Sequence, residues 1–383
     1  AAFNQNINSW DVSNVTSMSG MFYKAILFNQ PLNLWNVSSV IFINSMFREA
    51  FAFDQSIGNW DVSNVTNMSS MFEGLNSSSP TIFNQDISSW NVSNVTSMSS
   101  MFKYNHYFNQ NINSWNIGNV VTLSNTFYDA RVFNQPLNSW NTSSVTSLTS
   151  TFSDAIVFDQ PLNNWDVSNV TFMNGTFNDA EAFNQALNNW DVSSVTNMIS
   201  MFKEAAAFNQ DINSWDVSSV TNMTRLFDDA TSFNQPLYNW DTSSVTSMGE
   251  MFSGADAFNQ SINTQSVTVG GNTYTAWNVS NVTDMSYMFF ATPVFDGNIV
   301  DWDVSSVTNM SNMFNNADAF NKDISSWNVS SVTNMVRMFY QILNSFNQDL
   351  SSWSVANVTS CIDFNGQSVG WTLPKPSFTN CTP

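Results

Sequence analysis

The feature that most constrains the fold of this chain is a tryptophan that recurs about every 25 residues. The steps are 25 residues long, except 30 after Trp60, 37 after Trp240 and 26 after Trp327. Around each tryptophan the chain repeats the pattern F-N-Q-x-[IL]-x-x-W-[DN]-V-S-x-V-T-x-M-x-x-M-F-x-x-A. A unit this short cannot close a core alone, so the repeat indicates stacked units that bury their apolar faces against one another. The tryptophans are Trp10, Trp35, Trp60, Trp90, Trp115, Trp140, Trp165, Trp190, Trp215, Trp240, Trp277, Trp302, Trp327 and Trp353.

The two halves of the unit carry different apolar spacings. In the first half, Trp215 and Val217 alternate with polar residues, which is typical of a strand with Trp and Val facing the core. In the second half, Met68, Met71 and Phe72 are spaced by three and one, which is typical of a helical or 3₁₀ turn. The pattern therefore predicts a repeat solenoid of about 14 repeats, with a parallel β-sheet on one face and short helical or 3₁₀ turns on the other.

These motifs resemble a known family. The I-x-x-W-x-V segment matches the L-x-x-L-x-L core of leucine-rich repeats, with tryptophan in a leucine position. The V-T-x-M-x-x-M-F-x-x-A half resembles the repeat of BspA-like leucine-rich-repeat surface proteins, in the 25-residue variant first noticed in mycoplasma lipoproteins. The resemblance extends from Phe3 to about Cys361. It implies a leucine-rich-repeat-like fold, an extracellular adhesive or structural role and no enzymatic activity.

Composition excludes several classes of function. The net charge of −20 repels phosphate backbones, so we expect no nucleic-acid partner. His106 is the only histidine, which argues against a histidine-based catalytic triad or zinc site. The carboxylates occupy repeated positions, whereas an acid pair of a glycosidase must differ in environment. We therefore predict a chain without catalytic residues or cofactor. The sequence has no stretch of about 18 apolar residues, so we predict no membrane span.

Two segments depart from the repeat. Residues 264–277 alternate apolar and polar positions around Gly270 and Gly271, which predicts a β-hairpin that serves as a contact element or is a neutral insertion. We expect one solenoid over residues 1–361 and a capping tail over residues 362–383. Cys361 and Cys381 would staple this tail as a disulfide in an oxidising, extracellular setting, with two buried free thiols as the alternative.

Stacking places equivalent polar residues above one another. The asparagine of F-N-Q, replaced by Asp54, Asp159 and Asp296, is expected to accept backbone N–H bonds at a bend of the coil. A second row follows each tryptophan and faces outward. Its consecutive carboxylates would repel one another unless serine hydroxyls or bridging Ca²⁺ offset the charge. These carboxylates are Asp166, Asp191, Asp216 and Asp241.

Asparagines in N-x-[ST] sequons are candidate attachment sites for N-linked glycans. They fall one or four residues after the tryptophan, where sugars would line one face if the host glycosylates asparagine. In a host without that machinery they would be polar ladder residues. The candidates are Asn14, Asn36, Asn64, Asn91, Asn94, Asn141, Asn169, Asn278, Asn281, Asn328 and Asn357.

Two functions fit this pattern. The first is a subunit of a surface fibre or cell coat, because a first repeat that begins at Phe3 leaves an apolar coil end that another copy could cover head to tail. The second is a surface adhesin that grips a host or matrix protein or a glycan through the outward row or the hairpin at residues 264–277. Both place the protein outside the cell or on its surface.

Overall fold

Tight turns form each coil of the chain. The computed structural model describes residues 3–343 and 345–383, and the regular strands in these residues are β1 (Gln265–Val269) and β2 (Asn272–Ala276). The chain divides into two units between Trp190 and Asp191. Each unit is a stack of coils, so the repeat-solenoid architecture holds within each of them. The single solenoid over residues 1–361 stays a prediction.

One coil of the first unit shows how the turns follow one another. The N–H of Trp35 donates to the carbonyl of Leu32, and the N–H of Val40 donates to that of Val37. The N–H of Met46 likewise donates to the carbonyl of Ile43, three residues earlier, and such bonds continue along the coil. Such bonds define β-turns. The chain therefore changes direction every few residues without completing a helix.

The predicted helical or 3₁₀ turns of the M-x-x-M-F segment are not found among the described residues. The reason lies in the backbone: two residues four apart adopt left-handed φ angles, as Ser45 (56°) and Glu49 (55°) do. A left-handed residue cannot continue a right-handed helix. The apolar spacing instead comes from consecutive turns, some of which have a positive φ at the third position, as type II turns do.

The parallel pairing between coils lies in the V-T-x-M segment, not in the W-x-V segment where we predicted the strand. Single parallel bridges join Ser97 to Thr122 and Thr122 to Ser147 in the first unit, and Asn222 to Ser247 in the second. Further along the coil every second N–H donates to the next coil, because the intervening residues use their N–H groups in turns. The predicted sheet face is thus a ladder of isolated bridges.

The apolar positions of the repeat are buried as expected. Trp140, Val145 and Phe152 are at most 3 % exposed, and equivalent residues in most coils match them. The phenylalanines of F-N-Q and M-F stack within each coil, as Phe127 and Phe133 do at 4.1 Å between ring centroids. Burial of these positions within each unit confirms that the tryptophan and methionine stripes are packing residues.

The tryptophan also makes a bond that the sequence did not indicate. The indole N–H of Trp140 donates to the backbone carbonyl of Ile112 in the preceding coil, with 3.0 Å between Nε1 and O. The same bond recurs in both units, for example from Trp165 to Leu137 and from Trp327 to Ile299. A leucine in this position has no N–H to donate, so it could not add this inter-coil bond to a carbonyl that already accepts a backbone N–H within its own coil. This explains why tryptophan occupies a leucine position.

We expect Trp140→Phe to lower the free energy of unfolding by about 2 kcal/mol, because it removes a buried hydrogen bond between coils and part of a buried ring. Chemical denaturation followed by circular dichroism measures this change. Trp10→Phe is the matched control: Trp10 is 54 % exposed, and we expect a change below about 0.5 kcal/mol. Equal losses in the two variants would contradict the role of the indole bond.

Candidate binding site

The hairpin of the second unit is a clean insertion into the repeat. Strands β1 and β2 pair antiparallel from Gln265 opposite Ala276 to Val269 opposite Asn272. Gly270 and Gly271 have φ angles of 59° and 88°, as the two central residues of a type I′ turn require. The twelve residues 265–276 account for the whole excess of the 37-residue step after Trp240 over the normal 25. The coil is therefore complete without them.

The hairpin folds back onto the outward face of the coils beside it. The hydroxyl of Tyr274 donates to the backbone carbonyl of Asn239. At the base of the hairpin, Thr264 Oγ1 donates to the carbonyl of Trp277 at 2.8 Å. These bonds fix the hairpin on its supporting coils.

A cleft of about 240 Å³ lies between the hairpin and the outward row. Its hairpin wall includes Val269, Asn272 and Tyr274, and its other wall includes Asp216 and Asp241. We call these five residues and the space between them the hairpin cleft. Burial, together with the negative charges of Asp241 and Asp216, raises the pKa of the Tyr274 phenol above its ordinary value. The phenol is therefore neutral at physiological pH and able to donate its hydrogen bond.

The four predicted calcium carboxylates are each engaged locally. The backbone N–H of the residue two positions later donates to Oδ1 of Asp166 at 3.1 Å and to Oδ1 of Asp216 at 3.0 Å, and Asp191 and Asp241 have the same bond. These are Asx turns, in which the serine that follows offsets part of the charge. Among the described residues no group of three or more acidic, cysteine or histidine side chains is placed to hold a metal ion.

The F-N-Q asparagines form bonds between coils rather than within a bend. Oδ1 of Asn109 accepts the backbone N–H of Asn134 at 3.0 Å and the side-chain amide of Gln135 at 3.1 Å. Where aspartate replaces asparagine, at Asp296, Lys322 replaces the next glutamine and forms an ion pair with it at 2.7 Å. The row therefore adds a polar side-chain ladder to the backbone bonds that hold neighbouring coils together.

The sequon asparagines divide into two structural classes. Directly after tryptophan, Oδ1 of Asn91 accepts an N–H bond from Ser93 at 3.2 Å, and its Nδ2 has no partner among the described residues. The same holds for Asn36, Asn141, Asn278 and Asn328. Four residues after tryptophan, Nδ2 of Asn94 donates to the carbonyl of Ser63 in the preceding coil at 2.7 Å. Its equivalents are Asn64, Asn169, Asn281 and Asn357, while Asn14 is exposed in the first coil.

The C-terminal tail packs on the last coil. Cys361 and Cys381 form a disulfide bridge with their Cα atoms 5.9 Å apart. Trp371, which lies out of register in the sequence, donates its indole N–H to the carbonyl of Gln348 at 2.8 Å. Its ring meets that of Phe346 edge to face at 4.9 Å. Trp371 thus donates an indole bond to a carbonyl of an earlier coil, as the repeat tryptophans do, although it lies outside the repeat register.

A second groove of about 760 Å³ lies on the outward face of the first unit. Its lining includes Asp86, Asn111, Asn113 and Asn141. These residues occupy repeat positions with equivalents in other coils. The hairpin cleft differs because an element found once in the chain forms one of its walls.

The described residues contain no helix long and apolar enough to cross a membrane.

The family model described as "Mycoplasma protein of unknown function, DUF285" matches residues 1–82, 78–164, 146–265 and 264–368. The chain therefore belongs to this family of tandem repeats. No curated protein sequence matches the chain.

Among solved structures, the chain is similar to one titled "Crystal structure of TLR13-ssRNA13 complex". The TM-score is 0.25 and the identity 9 %, over 86 % of this chain and 62 % of that chain. The chain thus spans less than two thirds of the length of this structure. At that TM-score the likeness adds nothing to the argument about the fold.

An acidic cluster in the second unit gives a pH-dependent stability. Burial, reinforced by the charges of Asp229 and Glu250, raises the pKa of the Asp228 carboxyl from 3.8 to about 6, and a hydrogen bond from Ser253 and the charge of Lys203 oppose the shift. The folded state therefore binds a proton more tightly than the unfolded chain. Stability from this group is highest at low pH and falls as the pH rises through the range from 4 to 6.

We expect Asp228→Asn to raise the free energy of unfolding at pH 7 by about 1–2 kcal/mol, with the gain shrinking toward pH 4. Thermal unfolding at several pH values measures it. Asp61→Asn is the control, because asparagine occupies the same position in other repeats and keeps the Asx turn. A gain that is independent of pH would contradict the assignment to Asp228.

Glycan occupancy should follow the two classes of sequon, because a sugar attaches at Nδ2 and competes with the inter-coil bond there. After secretion from a eukaryotic host that glycosylates asparagine, we expect higher occupancy at Asn36, Asn91, Asn141 and Asn328 than at Asn64, Asn94, Asn169, Asn281 and Asn357. Glycopeptide mass spectrometry measures the occupancy of each site. Equal or reversed occupancy would contradict the prediction.

Proposed function

We propose that the chain is a non-enzymatic binding module of an extracellular surface protein, and that its hairpin cleft is the contact site for a host or matrix partner. The observation that carries this proposal is the hairpin itself. It interrupts a regular repeat, is bonded to its supporting coils through Tyr274 and encloses a polar cleft. Insertions of this kind on solenoids are frequent contact elements.

Three further features support the extracellular assignment. The Cys361–Cys381 bridge is chemistry of an oxidising compartment. The sequon row directly after tryptophan offers unbonded amide groups to solvent. The resemblance to BspA-like leucine-rich-repeat proteins also favours an adhesive surface protein.

The head-to-tail fibre stays a prediction. An apolar groove in the first coil, lined by Phe3, Ile7, Trp10 and Met21, is its candidate docking surface. No contact of the described residues tests a head-to-tail interaction between two copies of the chain.

Removal of residues 265–276 tests the proposed function and restores the 25-residue step, with Thr264 joined directly to Trp277. We expect the full chain to bind at least one member of a panel of purified matrix proteins and immobilised glycans, and the deletion to abolish this binding. Biolayer interferometry measures both. The control removes residues 76–80, a surface insertion that lengthens the step after Trp60 to 30.

The control deletion should keep full binding, and both variants should keep the circular dichroism spectrum of the parent chain. Binding that survives removal of the hairpin, or a full chain that binds nothing in the panel, would contradict the proposal.

A further inference from the structure

The charges around the hairpin cleft are unbalanced. Asp216 and Asp241 lie on adjacent coils and face the same space, and each uses Oδ1 in an Asx turn. No ion pair of the described residues includes either carboxylate. The second carboxylate oxygen of each therefore has no cationic partner within the described chain.

The cations of the second unit have partners elsewhere. Lys203, Arg225, Lys322 and Arg337 pair with Glu204, Glu250, Asp296 and Asp363, and Lys375 donates to the carbonyl of Trp371. These are all the lysines and arginines of that unit. None of the lysines and arginines of this unit is therefore an ion-pair partner of the cleft carboxylates.

The shape and the remaining lining of the cleft select among ligands. Its volume of about 240 Å³ is large enough for one side chain and lies below the range of about 300–1,000 Å³ typical of sites for drug-sized molecules. The hydroxyl bond to Asn239 holds Tyr274 in place, and a tyrosine ring face attracts cations. Two carboxylates accept bonds from a planar guanidinium, which presents five N–H donors.

We propose that the hairpin cleft binds the side chain of an arginine in a basic segment of a partner protein, with Asp216 and Asp241 as its charge partners and Tyr274 as its aromatic wall. This inference rests on the proposed function, because it names the ligand of the same site. The overall charge of −20 supports the approach of a basic segment, since it attracts cations over long range. Selectivity for arginine then comes from the cleft.

The test titrates the full chain with a five-residue peptide that carries one central arginine between glycines, acetylated and amidated at its ends. Its counterpart with citrulline has the same shape without the charge. The ring resonances of ¹³C-labelled tyrosine, assigned to Tyr274 with the variant Tyr274→Phe, report binding. We expect shifts of the Tyr274 resonances with the arginine peptide, weakening as salt rises, and none with the citrulline peptide.

The double variant Asp216→Asn/Asp241→Asn should weaken binding of the arginine peptide about tenfold. The matched control is Asp61→Asn/Asp303→Asn, which changes the net charge equally at exposed positions of the same row, where the hairpin is not part of the surface. The control should bind within about twofold of the parent. Asparagine occupies this position in other repeats, so both variants are expected to fold.

Four outcomes would overturn the inference. If both double variants weaken binding of the arginine peptide equally, the peptide is attracted to the negative charge of the chain in general. Equal binding of the citrulline peptide would show recognition without the guanidinium. Shifts of Tyr274 with Ca²⁺ or a neutral glycan, and none with the arginine peptide, would assign the cleft to that ligand instead.

The fourth outcome separates the two proposals. If removal of residues 265–276 abolishes binding of the panel partner while Asp216→Asn/Asp241→Asn leaves it intact, the proposed function holds and the arginine assignment fails. If removal of the hairpin leaves partner binding unchanged, the proposed function itself fails.

Discussion

The indole hydrogen bond between successive coils is the interaction on which the rest of the structure depends. Each coil consists of tight turns and is joined to its neighbours by individual backbone hydrogen bonds. The tryptophan adds a second bond to a carbonyl of the coil before it and at the same time fills the core, as Trp140 does for Ile112. Because it joins equivalent points of two coils, it also fixes their register. The phenylalanine stacks and the asparagine ladder then repeat at the same spacing.

This constraint explains why the chain tolerates an insertion. Register is set at the tryptophan, so residues 265–276 can leave the coil before Trp277 and return to it. Trp277 still donates its indole N–H to the carbonyl of Leu237 in the coil before it. The neighbouring coils support the hairpin, and the hairpin distinguishes one place on their surface. The hairpin cleft differs in this way from the other surface positions of the repeat, which have equivalents in other coils.

Local backbone geometry is where the sequence-based reasoning was wrong. Met, Met and Phe at helical spacing predicted a short helical or 3₁₀ turn, but the same spacing suits a run of turns in which Ser45 and Glu49 take left-handed φ angles. Single residue types give little sign of this, since the left-handed positions carry residues as different as serine, aspartate, asparagine, glutamate, lysine, arginine and tyrosine in different coils. Hydrogen bonds to the neighbouring coil select that conformation. Tertiary pairing therefore overrides the local preference.

The sequence by itself determined the period, the residues of the core and the outward polar rows, because burial in a stack depends on position within the repeat. It also placed a hairpin around Gly270 and Gly271, since their turn preference is local. Only the tertiary structure decided where the parallel bridges lie, that the indole of Trp140 reaches a carbonyl one coil away, and that Tyr274 bonds to Asn239. It also decided that Asp216 and Asp241 share a cleft with the hairpin. These contacts join residues distant in sequence, and their geometry depends on how the coils stack and on the direction in which the hairpin folds.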